Sequence, residues 1–66
     1  MNTAQEIITN ITNAVKALGY ENNETLKAVK NTLQSADALR ELGYTNDDQE
    51  AIEEAHKIIS SQIKYN

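Results

Sequence analysis

The chain contains no cysteine, no proline, no tryptophan and no phenylalanine, and only two glycines and one histidine among 66 residues. Without cysteine there is no disulfide framework, no thiolate zinc site and no thiol nucleophile to add to a small core. Without proline, nothing in the interior of a helix forces it to stop. A lone His56, with no Ser/His/Asp constellation and no Gly-rich phosphate loop, leaves catalysis with little to work with. Apolar runs are short as well, and none approaches the roughly 18 residues of a membrane span. The start, Met1-Asn2-Thr3-Ala4-Gln5-Glu6, lacks the basic segment and apolar stretch of a signal peptide. From these absences we expect a cytoplasmic protein that is not an enzyme, carries no cofactor and enters no membrane.

What remains bounds a single domain over residues 1–66. Ile, Leu and Val supply 14 of 66 residues, barely above the ~20% at which disorder becomes the default reading. A chain this short buries only roughly 60% of the surface it exposes when unfolded. Ala and the three Tyr must share the packing, or a second copy of the chain must help.

The helices are read from periodicity. Ala4, Ile8, Ile11, Val15 and Leu18 recur at steps of four and three, widened by Ile7 and Ala14, which predicts a helix over about 3–18. Leu18-Gly19-Tyr20 then supplies Gly at the left-handed position after the helix and an apolar residue to fold back on Val15. The same triplet returns as Leu42-Gly43-Tyr44. Between the two, Asn22 or Asn23 offers a cap, and Leu26, Val29, Leu33, Ala36 and Leu39 form the stripe of a second helix over about 23–42. Thr45 or Asn46 caps a third, over about 46–64, with Asp47, Asp48 and Glu50 at its positive end and Ile52, Ala55, Ile59 and Ile63 as its stripe. The expected fold is all-α, a compact antiparallel three-helix bundle. In the alternative, Ser35 caps a separate short helix after a bend near Leu33-Gln34.

The stretch Asn13-Ala14-Val15-Lys16-Ala17-Leu18-Gly19-Tyr20, followed by 24–30 and by Ser35-Ala36-Asp37-Ala38-Leu39, resembles the ubiquitin-associated (UBA-like) three-helix domain. It also looks like the C-terminal domain of the bacterial branch-migration subunit. The resemblance covers residues 7–42 and implies three helices plus an added fourth. It also implies a ligand surface at Gly19 and Tyr20, joined by Leu39 and Leu42. The second Leu-Gly-Tyr and the long first helix depart from that pattern.

Charge is distributed unevenly. Residues 1–40 balance Glu6, Glu21, Glu24 and Asp37 against Lys16, Lys27, Lys30 and Arg40, so the net charge of −4 belongs to residues 41–66. Glu41, Asp47, Asp48, Glu50, Glu53 and Glu54 fall within 14 residues that hold no base. Such a segment disfavours direct binding to nucleic acid, which needs clustered Lys and Arg. It suits docking on a basic protein surface, with electrostatic steering of the encounter. The outward face of the first helix, Thr9, Asn10, Thr12 and Asn13, is uncharged and reads as a buried or partner-facing surface. In the pairs Ile7-Ile8 and Ile58-Ile59 only one residue each is expected to point fully inward.

Chemical motifs are weak. Glu53 and His56 have the i, i+3 spacing of carboxylate-bridged metal sites, which only a homodimer could complete, with Glu50 or Glu6 as further ligands. Asp47-Asp48-Gln49-Glu50 lacks the spacing and central Gly of an EF-hand loop. Asn10-Ile11-Thr12 and Asn23-Glu24-Thr25 match the glycosylation pattern but lack a secretion signal. The expectation is therefore a small acidic interaction module, an inhibitor or adaptor of the type phages and mobile elements encode. It would contact a basic partner through Tyr20, Tyr44, Ile7, Ile58 and the acids Glu41, Asp47, Asp48, Glu50, Glu53 and Glu54. The alternatives are a self-assembling structural homo-oligomer and a metal-binding homodimer through Glu53 and His56.

Overall fold

A computed structural model describes residues 2–64, and among them there are four helices and no strand. Helix α1 (Ala4–Ala17) opens on a capping box: the Thr3 hydroxyl accepts from the Glu6 N–H at 3.2 Å, and the Glu6 carboxylate accepts from the Thr3 N–H at 3.0 Å. It closes on the expected left-handed glycine, Gly19 at φ +100°. There the Gly19 N–H donates to the Lys16 carbonyl and the Tyr20 N–H to the Val15 carbonyl, the paired bonds of a Schellman motif. The apolar arc is wider than the single stripe read from sequence. Ala4, Ile7, Ile8, Ile11 and Val15 are all buried, because α1 packs against two helices at once, α2 and α4.

The second predicted helix is two helices. Helix α2 (Asn22–Leu33) stops at Gln34, and α3 (Ala36–Glu41) starts afresh from Ser35, whose hydroxyl accepts from the Ala38 N–H at 3.2 Å. A Ser side chain that satisfies the first turn of a new helix competes with continuing the old one. Thr32 adds to the bend by donating its hydroxyl to the Ala28 carbonyl one turn back, at 2.9 Å. The apolar spacing runs through this point unbroken, but spacing reports which residues are apolar and says nothing of backbone direction. Ala36, expected in the stripe, is exposed.

Neither Asn22 nor Asn23 caps α2. Glu21 occupies the cap position without a side-chain bond, and Asn22 takes a positive φ of 54°. The Asn23 amide is used elsewhere, accepting from the Lys64 N–H at 2.9 Å and donating to the Lys64 carbonyl at 3.0 Å. That pair of bonds ties the start of α2 to the segment after α4. A second Schellman turn follows α3, with Gly43 at φ +92° bonding Arg40 and Tyr44 bonding Leu39. Thr45 then caps a 3-10 turn (Asn46–Asp48) that leads into α4 (Gln49–Gln62). The third expected helix thus loses its first turn to 3-10 geometry and ends at Gln62, with Ile63 extended yet buried.

Helices α1, α2 and α4 pack pairwise, while α3 rests on α2 alone. Hydrogen bonds from Asn2 to Asp48 put the N-terminal ends of α1 and α4 together, so these two run parallel and α2 runs against both. The side chains most completely enclosed, Ile7, Ile11, Val29 and Ile59, come from all three. Each contributes about 1.5–3 kcal/mol of burial.

Candidate protein-docking surface

The acidic segment folds into the 3-10 turn and the first turns of α4. Glu41, Asp47, Glu50, Glu53 and Glu54 are exposed, and among the described residues none of them forms an ion pair. The ion pairs present, Lys27–Glu24 at 3.5 Å and Arg40–Asp37 at 3.7 Å, lie within single helices elsewhere. Asp47, Glu50 and Glu54 follow steps of three and four, which aligns their carboxylates along one side of the element. The sixth acid is different. Asp48 is 5% exposed, and its carboxylate accepts from the Thr45 N–H at 3.1 Å and from the Asn2 backbone and amide N–H groups at 3.3 Å. The Thr45 N–H, helped by Asn2, holds its carboxyl below the ordinary Asp value. Its expected place on a partner surface is corrected: it is a structural latch, facing inward.

Two further expectations are corrected by burial. Ile7 is 0% exposed, because the arc of α1 enclosed by α2 and α4 has room for both Ile7 and Ile8. Tyr44 is 9% exposed, its ring in the core and its hydroxyl oxygen accepting from the Asn10 amide at 3.2 Å. Asn10 on the uncharged face of α1 is therefore occupied within the molecule. Ile58 is half-buried against the core. Tyr20, in the matching turn, remains 45% exposed beside Leu18 at 77%. Leu18 was expected in the core stripe, but it sits at the C-cap, past the last turn that the stripe can bury.

The break at Ser35 creates a feature the sequence reading did not anticipate. Because α3 makes no close approach to α4, an open groove runs along α4 as two adjoining hollows that share Gln49 and Ile52, one of about 430 Å³ against the end of α2 and one of about 370 Å³ against α3. Leu33, Leu39, Tyr44 and Ile52 supply the apolar lining; Gln34, Ala36 and Arg40 stand on one side, and Glu53, His56 and Lys57 on the other. His56 Nε2 is buried without a hydrogen-bond partner, as are Thr25 Oγ1 and Ser60 Oγ. A further hollow of about 700 Å³, lined by Tyr20, Lys16 and Leu26 among others, lies between the end of α1 and the start of α2. The only sequence signal for the first groove was Ser35 at capping distance from Ala38.

Compared with protein-family models, curated proteins and solved structures, this chain matches none. The surface is therefore read on its own chemistry. Among the described residues no three His, Cys, Asp or Glu side chains converge as a metal site. Glu53 and His56 both line the groove, with Lys57 beside them. No described helix is long and apolar enough to cross a membrane.

Proposed function

We propose that this chain is a non-enzymatic docking module whose acidic side, from Glu41 to Glu54, binds a basic surface on a protein partner. In this role it acts as an inhibitor or adaptor of the kind phages and mobile elements encode. One observation carries the reading: among the described residues, five exposed carboxylates in one segment form no ion pair. Asp47 and Glu50 suit the positive end of the helix, but like charges on one face repel each other, whereas a basic partner relieves that repulsion and is attracted over about a Debye length.

The test is affinity capture from the source cell's lysate at low and high salt, with the wild-type chain and with Asp47→Lys, Glu50→Lys and Glu54→Lys combined. Asp48 is left intact because it is structural. One dominant protein, captured by the wild type at low salt and lost by the variant, supports the reading; equal capture by both chains refutes it.

The break at Ser35 favours a second reading, in which α1, α2 and α3 form a UBA-like unit, α4 is an added helix, and Gly19 and Tyr20 lie on the ligand surface. The exposure of Tyr20 and Leu18 is what recommends it. Tyr20→Ala abolishing capture while the charge variant retains it would select this reading over the first.

A further inference from the structure

We infer that two copies of this chain pair through the outward side of α1, running antiparallel, with each copy's Lys16 ammonium on the partner's Glu6 carboxylate. The inference goes beyond the acidic docking reading and stands without it. It starts from spacing. Glu6, Thr9, Asn13 and Lys16 are all exposed and follow steps of three, four and three. That is the register of a coiled-coil seam, on the side of α1 opposite the buried Ala4, Ile8, Ile11 and Val15. Two antiparallel helices related by a two-fold axis meet through the same residues on both copies. The register that lays Glu6 on the partner's Lys16 also lays Thr9 on the partner's Asn13, and each pairing occurs twice.

Charge complementarity commits this face to a second copy. Glu6 and Lys16 are the charges of α1 and sit near its opposite ends, so antiparallel copies set opposite charges together where parallel copies set like against like. Neither is in an ion pair among the described residues. Glu6 accepts from the Thr3 N–H through Oε1 at 3.0 Å, which leaves Oε2 for a cation. Gln5, Glu6, Thr9 and Asn10 line a hollow of about 210 Å³ on this face, on the stretch where the register places the partner's Asn13 and Lys16. The acidic segment favours the same sense. Bonds from Asn2 to Asp48 hold the start of α4 beside the start of α1, so antiparallel pairing puts the two acidic ends of the dimer far apart. One polar helix face with exposed ion pairs makes a weak interface, and Kd is expected at about 0.1–1 mM.

The test is sedimentation equilibrium of the full chain from about 0.05 to 2 mM, where a monomer–dimer equilibrium weakened by added salt is expected. Lys16→Glu and Glu6→Lys each bring like charges together twice per dimer, and each alone is expected to weaken pairing at least about tenfold. Mixed in equal amounts, the two variant chains carry complementary charges, and their pairing is expected to return to within about threefold of wild type. Glu6 also caps α1, so a second measurement serves if Glu6→Lys loses its helical spectrum. The chain has no cysteine, and a Thr9→Cys chain mixed with an Asn13→Cys chain is expected to form the mixed disulfide at least about tenfold faster than either chain links to itself.

A monomer mass throughout that range overturns the pairing, as does a dimer that Lys16→Glu leaves unchanged. So does a mixture of folded charge variants that fails to recover, or equal rates of mixed and self linking. Each of these results leaves the acidic docking reading to its own capture test.

Discussion

Gly43→Ala is expected to destabilise this protein more than Gly19→Ala by about 1 kcal/mol, although the two glycines sit in the same triplet and make the same Schellman bonds. At both positions φ is in the left-handed region, +92° and +100°, and an added Cβ would meet nothing within 4 Å. The cost is therefore backbone strain without a clash, about 1–2 kcal/mol if the turn is held in place. Reduced freedom of the unfolded chain offsets roughly 0.4–1 kcal/mol at either site and cancels in the comparison. What differs is how firmly each turn is held. Leu18 and Tyr20 are 77% and 45% exposed, so the first turn can shift and relieve its strain at little loss. Tyr44 is 9% exposed and bonded to Asn10, and the capped entry to α4 follows at once, so the second turn cannot relax without pulling a ring from the core. Urea unfolding followed by circular dichroism measures both, with m unchanged if only the native state is strained. In thermal melts each kcal/mol corresponds to roughly 4–8 °C for a chain of this size. Equal losses, or a larger loss at Gly19, would refute the argument that burial of the following tyrosine sets the cost.

Two other outcomes follow from the ends of the chain. Asn23→Ala removes two bonds to Lys64 and is expected to cost about 1–3 kcal/mol at 0.5–1.5 each; it also frees the segment that holds Ile63 at 7% exposure. In that background Ile63→Ala should cost much less than the about 2–5 kcal/mol of the single change, and strict additivity in a double-mutant cycle would sink the coupling. Asp48 and Glu6 both have carboxyls held below their ordinary values of 3.8 and 4.5, chiefly by the backbone N–H groups of Thr45 and Thr3. A lowered folded pKa means stability that is present in full above the unfolded value and is lost as pH falls through the folded one. The contribution of these two groups should therefore be lost as pH falls below their ordinary values, 4.5 for Glu6 and 3.8 for Asp48. Asp48→Asn should weaken the protein at neutral pH and flatten that acid limb, and an unchanged slope in acid titrations of unfolding would count against the latch.

Much of this protein is legible in its sequence because the relevant physics is local. The two Leu-Gly-Tyr turns, Thr45 with the acids behind it, and the stripes of α1 and α4 all depend on neighbours within one or two helical turns, as does the capping box of Thr3 with Glu6, which was not read from the sequence. Charge segregation into residues 41–66 is likewise a property of the chain itself. Only the tertiary structure decided that Tyr44 is buried while Tyr20 is not, that Asp48 alone of six acids turns inward to meet Asn2, and that Ile7 and Ile8 are both enclosed. The end of α2 at Leu33 was legible in the sequence as an alternative, through the local Ser35 cap, but that the break leaves a groove beside α4 was decided by the packing of α3 and α4. Each of these tertiary outcomes depends on which element lies across from a residue, and one chain's periodicity does not contain that. Local grammar sets where helices begin and end, whereas burial is conferred by partners far away in sequence.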